Sequence, residues 1–141
     1  VPLTPAQITT LHTEIVTDPK ALGYATKSDY DASIALNTPG LSSEIIFKSY
    51  VAFEDFVAAI VRADYDALTG LPLAYLNNVL LRGARLASGN ATLRSQIAAL
   101  FPAGTTRTNL TNLASKSASR AEALYQTEGI YVSDSDVAKA R

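Results

Sequence analysis

The sequence predicts an all-α protein, a compact bundle of six or more short to medium helices with short loops. Apolar residues recur at helical spacing in successive segments, Ser/Thr-x-x-Glu/Gln boxes precede several of them, and Pro and Gly separate them. No repeat or linker interrupts this pattern, so residues 1–141 are expected to form a single helical domain. Residues 1–3 would serve as an N-terminal arm and residues 130–141 as a C-terminal docking segment.

The first helix should open at Thr4, with Pro5 at the favoured first position and Gln7 completing the capping box. Ile8, Leu11 and Ile15 then form its apolar stripe until about Thr17. Asp18-Pro19 can start a short helical turn through Leu22, with Gly23 as the exit and Tyr24 anchoring the loop. Ser28, Asp29 and Asp31 favour a second helix reaching Leu36, which Asn37-Thr38-Pro39-Gly40 breaks. Beyond the break, Phe53, Phe56, Val57, Ile60 and Val61 recur on one broad helical face, leaving Glu54, Asp55 and Arg62 wet.

Asp64 to Thr69 reads as a turn or short helix ended by Gly70. Pro72 begins a longer helix whose stripe takes in Leu76, Val79, Leu80, Ala84 and Ala87, with Gly83 permitting close backbone approach. Ser88-Gly89-Asn90 closes it, and Leu93, Ile97, Leu100 and Phe101 mark the next helix, ended by Pro102-Ala103-Gly104. Thr105 or Thr106 caps a helix containing Leu110 and Leu113, and Ser119-x-x-Glu122 opens another through Tyr125. After Gly129, Ile130 to Val132 is extended, and Ser133 with Asp136 begins a terminal helix through Val137 and Ala140.

Composition narrows the chemistry. The chain has 23 alanines and no Cys, Met or Trp, and 48% of its residues are hydrophobic, which argues for a folded chain of close helix contacts. A disulfide scaffold, a thiolate metal site and a cysteine nucleophile are excluded. A single histidine removes the usual histidine triads and metal clusters, so no catalytic, cofactor-binding or metal residue is assigned and a non-enzymatic protein is expected. No apolar run is long enough to span a membrane and no leader pattern opens the chain, so synthesis in the cytoplasm is the expectation.

The near-neutral total hides an uneven distribution. Residues 1–66 carry four positive and nine negative side chains, a net of −5, and residues 67–141 carry eight and four, a net of +4. No acid occurs from Ala67 through Ala121. Such polarity can align neighbouring subunits head to tail or set the basic half against an acidic partner or nucleic acid, unless folding mixes the two halves on one surface.

His12 has no local partner, because Glu14 two residues on lies off its helical face, and packing, exposure or an interface contact is the expected role. The acids Glu54, Asp55, Asp64, Asp66, Asp29 and Asp31 match no ligand loop or glycosidase pattern and read as caps and wet helix surface. Gly83, Gly89 and Gly104 form no phosphate loop. Asn90-x-Thr92 and Asn109-x-Thr111 fit the glycosylation pattern but should stay unmodified after cytoplasmic synthesis.

The most suggestive charge arrangement is Arg82 and Arg85, which can share a helical face, extended by Arg94, Arg107, Lys116 and Arg120. These six are candidate interface or phosphate contacts. Protein contact is preferred over nucleic acid, because there is no zinc finger, recognised nucleic-acid fold or aromatic stacking platform.

Three sets of residues carry a resemblance. They are Leu11-His12-Thr13-Glu14-Ile15-Val16-Thr17-Asp18-Pro19 through Leu22-Gly23-Tyr24-Ala25, Ala99-Leu100-Phe101-Pro102-Ala103-Gly104-Thr105, and Ser119-Arg120-Ala121-Glu122-Ala123-Leu124 followed by Val132-Ser133-Asp134-Ser135-Asp136-Val137-Ala138. In these the chain resembles small helical proteins encoded by tailed bacteriophages. The resemblance implies a virion or morphogenesis component, with a head-to-tail connector, neck or tail position, and transfers no active residue. The expected function is therefore a non-enzymatic structural adaptor. It would be placed in the virion after synthesis in the bacterial host, with other phage structural proteins and further copies of itself as partners and no cofactor or membrane. The alternative is a small DNA-associated packaging or regulatory protein using the basic helical surface, and a hydrolase built from spatially assembled acids ranks below both.

Overall fold

In the computed structural model, which describes residues 1–83 and 85–141, the protein is all-α, built of short to medium helices with short loops. In chain order the described helices are α1 (Pro5–Thr17), α2 (Asp29–Asn37), α3 (Phe53–Ala59), α4 (Arg62–Asp66), α5 (Gly70–Leu80), α6 (Ala91–Leu100), α7 (Thr105–Ala114), α8 (Arg120–Tyr125) and α9 (Asp134–Ala140). A 3-10 turn lies at Tyr24–Thr26, and short strands occur at β1 (Ile45–Phe47), β2 (Val51–Ala52), β3 (Arg85–Leu86) and β4 (Ser115–Ser117). The chain divides into two compact units. The first joins Val1–Ile46 to Ser117–Arg141, and the second is the continuous segment Phe47–Lys116.

In the first unit, α1 and α2 both pack on α9, and α2 also packs on α8. Capping boxes fix three starts as the sequence predicts: Thr4 with Gln7, Ser119 with Glu122, and Ser133 with Asp136. Leu11, Tyr24, Leu36, Val132 and Val137 form the buried core, and each large aliphatic side chain removed from water there contributes about 1.5–3 kcal/mol. The C-terminal segment 130–141 belongs to this core through Val132, Val137 and Ala140. Asn37 fastens it, donating to the Val132 carbonyl at 2.7 Å and accepting from the Val132 amide at 3.0 Å.

The turn after α1 differs from expectation. Asp18 does not start a helix; it takes a left-handed conformation at φ 41°, and its carboxylate accepts from the Leu22 and Gly23 amides at 2.7 Å. A carboxylate able to bond backbone amides competes with helical bonding, so the chain turns there, and helical geometry resumes at Tyr24.

In the second unit, α3 packs on α7 and α5 on α6, and β2 pairs antiparallel with β3 in the register Val51 to Leu86 and Ala52 to Arg85. Its core gathers Val51, Phe56, Leu76, Val79, Leu86, Ile97 and Phe101. The broad face expected from Phe53 to Val61 contracts: α3 ends at Ala59, Phe56 is its buried residue, and Val57 is 44% exposed. Ile60 is extended because the chain re-aims to start α4, where the Val61 amide donates to the Thr106 hydroxyl at 2.9 Å. Thr106 therefore supports the start of α4 rather than its own helix, which follows Gly104 without a side-chain cap.

The helix expected to run past Leu80 also stops early. Leu81 and Arg82 form a turn, and Gly83 adopts φ 64°, a left-handed conformation that a helix cannot continue through. Ala87 is consequently off the stripe, and Ala84 lies outside the described residues. The close backbone approach expected at Gly83 occurs at Gly89, where an added Cβ would meet the Ser49 Cα at 3.2 Å.

Candidate functional site

The second unit holds a half-open cavity of about 240 Å³. Its walls come from β1 (Phe47), β2 (Val51), α3 (Phe56), β3 (Leu86), α6 (Leu93, Ile97, Ala98) and α7 (Leu110, Leu113, Ala114), with Phe101 between the last two. On α6 the spacing Leu93, Arg94, Ile97, Ala98, Phe101 keeps one helical face on the cavity, and on α7 Arg107, Leu110, Thr111, Ala114 does the same. The lining is mostly apolar, with Ser88, Ser95, Thr111 and two arginines, and among the described residues it includes no Asp, Glu or His.

Arg94 is held in place. Its guanidinium lies 3.7 Å over the Phe47 ring and donates through Nη1 to the Ser88 carbonyl at 2.7 Å. Ser88 in turn donates to the Lys48 carbonyl at 2.6 Å, and the Gly89 amide donates to that of Ser49 at 3.1 Å, so two loops are knitted beneath the arginine. The Arg107 guanidinium is exposed and makes no hydrogen bond or ion pair among the described residues.

The six cations singled out in sequence are thus distributed rather than gathered. Arg94 and Arg107 both line the cavity. Arg82 and Arg85 do not share a helical face, because α5 ends before them; Arg82 is exposed in the turn, and Arg85 stands in β3 with its guanidinium 4.0 Å over the Tyr50 ring. Lys116 is half-buried in β4. Arg120 lies inside the first unit, 9% exposed.

Arg120 is the centre of an ion network that sequence reasoning missed. Its Nε and Nη2 donate to the two oxygens of Glu14 at 2.8 and 2.7 Å, and its Nη1 donates to both oxygens of Glu44 at 2.8 and 2.9 Å. The Tyr24 hydroxyl donates to Glu14 at 3.2 Å, and Lys20 stands 3.3 Å from Glu44. The hydrogen bonds to Glu14 raise the Arg120 guanidinium further above its ordinary range, against the burial that lowers it. Burial acts to raise Glu44, yet its bonds with Arg120 and Lys20 outweigh that and hold its carboxyl below the usual range. Burial first, then the Glu14 charge, push the Tyr24 phenol up. The missed signal was Glu14 at three residues from Leu11, on the apolar stripe, where a carboxylate has to be paired or hydrogen-bonded.

The remaining candidates take structural places. His12 Nδ1 lies 2.6 Å from the Ala140 carbonyl, joining α1 to the end of α9. Asp29 pairs with Arg141, Asp66 with Arg62, Asp31 accepts from Ser28, and Asp64 accepts from Thr106. Glu54 and Asp55 stand exposed in the first turn of α3. Among the described residues no group of three His, Asp or Glu side chains could hold a metal ion, and no helix is long and apolar enough to cross a membrane. No protein-family model, curated protein or solved structure matches the chain, so the cavity and its two arginines stand on their own geometry.

Proposed function

We propose that the chain is a non-enzymatic structural adaptor of a tailed-bacteriophage particle, joining neighbouring virion subunits in the neck or tail and acting as a homo-oligomer within that assembly. The observation that carries this reading is the segregation of charge between the two units. The first holds five cations and nine anions, a net of −4, and the second seven and four, a net of +3. Opposite fields on two compact bodies favour ordered contact between unlike faces of successive subunits and suppress like-to-like pairing. Large apolar side chains left in water, Leu71 at 86% and Leu81 at 84% exposure, supply further contact area on the second unit. The DNA-associated alternative has less support, because Arg120 is enclosed by two carboxylates and Arg82 and Arg85 share no helical face.

Quantitative proteomics of intact particles tests the reading. Stoichiometric presence, with cross-links to neighbouring subunits, is the expected result, and absence from particles overturns it. Salt-sensitive DNA binding lost on neutralising Arg82 and Arg85, with folding intact, would move the assignment to the alternative.

A further inference from the structure

We propose that the cavity of the second unit is a binding site for a small amphiphilic monoanion, a medium-chain carboxylate whose tail lies among the apolar walls and whose head meets Arg107 and Arg94. This goes beyond the assembly reading and stands without it.

The cavity is preformed. Phe56, Leu86, Ile97 and Phe101 are already withdrawn from water, while Ser95, Arg107 and Thr111 are exposed, so it is a half-open cleft with a buried apolar side and not a flat face. Its atoms lack neighbours on one side, and an apolar chain would restore those contacts. Its size of about 240 Å³ lies below that of drug-sized ligand sites, which run from about 300 Å³ upward, and suits one short chain rather than a two-chain lipid.

The sign of the head group follows from the mouth. Two guanidiniums and no carboxylate line the space, and Arg107 is unpaired among the described residues. Arg94 is fixed by the Phe47 ring and the Ser88 carbonyl through one of its five N–H donors, which leaves others for an oxyanion. A carboxylate matches the planar fork of a guanidinium and, with an apolar tail, completes both halves of the site.

Titration of the full chain with decanoate below its micellar concentration, followed by calorimetry and amide chemical shifts, tests the assignment, with decanol as the uncharged control. The expected result is saturable one-to-one binding, with shifts centred on α6 and α7. Arg107→Gln should weaken decanoate about three- to tenfold while leaving decanol unchanged, as the loss of one charge-assisted contact dictates. Ala98→Leu should fill the cavity and abolish binding of both; if that variant does not fold, Thr111→Leu at the mouth replaces it. Non-saturable binding, shifts outside residues 47–116, or equal loss of decanoate and decanol on Arg107→Gln overturns the proposal. Self-association that Ala98→Leu abolishes would assign the cavity to a second copy and overturn it as well.

Discussion

The two units solve the problem of closing a small helical core in different ways. In the first, a bidentate guanidinium sits between two carboxylates, and Tyr24, Asn37 and three capping boxes fix the geometry around it. In the second, the core is a set of aliphatic and aromatic residues on α3, α5, α6 and the β2–β3 pair, and it leaves a cavity. Charged groups that must satisfy one another tolerate one arrangement, whereas apolar groups of about the right volume tolerate several and leave room for an occupant. Directional bonding in the first unit therefore specifies shape, while incomplete packing in the second creates a site.

Breaking the network tests this contrast most severely. Arg120→Ala should destabilise the first unit by about 3–5 kcal/mol, because it strands the Glu14 carboxylate in a buried position. Hydrogen exchange should show lost protection in α1, α8 and α9. The double variant Glu14→Leu with Arg120→Met, which replaces the charged pair by apolar volume, should recover most of that loss in a urea titration. Failure to recover would mean that the pair supplies net stability rather than specificity.

Truncation in the second unit should cost somewhat less. Leu76→Ala removes a fully buried side chain from α5, and a loss of about 3 kcal/mol in denaturant unfolding is expected, with exchange increased in α5 and α6. A much smaller loss would show that this core collapses around the gap.

Changes of pH should act on the first unit with a definite sign. Glu44 is held below the ordinary carboxylate range when folded, so its contribution is present above that range and is lost as pH falls through the folded value. Burial, with the charges of Asp136 and Glu14, pushes Tyr125 up to about 12, so its contribution is intact below about pH 10 and is lost as pH rises toward 12. Tyr125→Phe should make the alkaline limb of a stability–pH curve shallower, with Tyr24 supplying the remaining slope, and Glu44→Gln should flatten the acid limb.

The smallest effect is expected at Ala21, which stands at φ 53° in the turn after α1. Ala21→Gly should stabilise by about 0.5 kcal/mol, since glycine occupies that region without a Cβ penalty while losing more entropy on folding. A destabilised variant would show that the turn is held by more than its local geometry.

Local chemistry made much of the fold legible. Thr4-Pro5, Ser28, Ser119 and Ser133 marked helix starts because capping is decided within one turn of chain, whereas Asn90, read as closing the preceding helix, caps α6. The early ends of α3 and α5 were not legible, since Ile60 and Val61 kept helical spacing and the pairing of Val51 with Leu86 joins residues far apart in sequence. Of the site, the arginines were legible as residues but not as a place. Their position on the apolar faces of α6 and α7 was written in the spacing, whereas the space between those helices depends on packing. The place of Glu14 on the apolar stripe was legible, but its partner was not, because Arg120 lies 106 residues away.

That separation bears on how the chain acquires its shape. The second unit is continuous and can close once residues 47–116 are free, but the first must hold α1 and α2 open until α8 and α9 arrive with Arg120, Val137 and Ala140. Until then Glu14 is hydrated and Leu11 and Leu36 are uncovered, and residues 117–141 both neutralise the one and shelter the others.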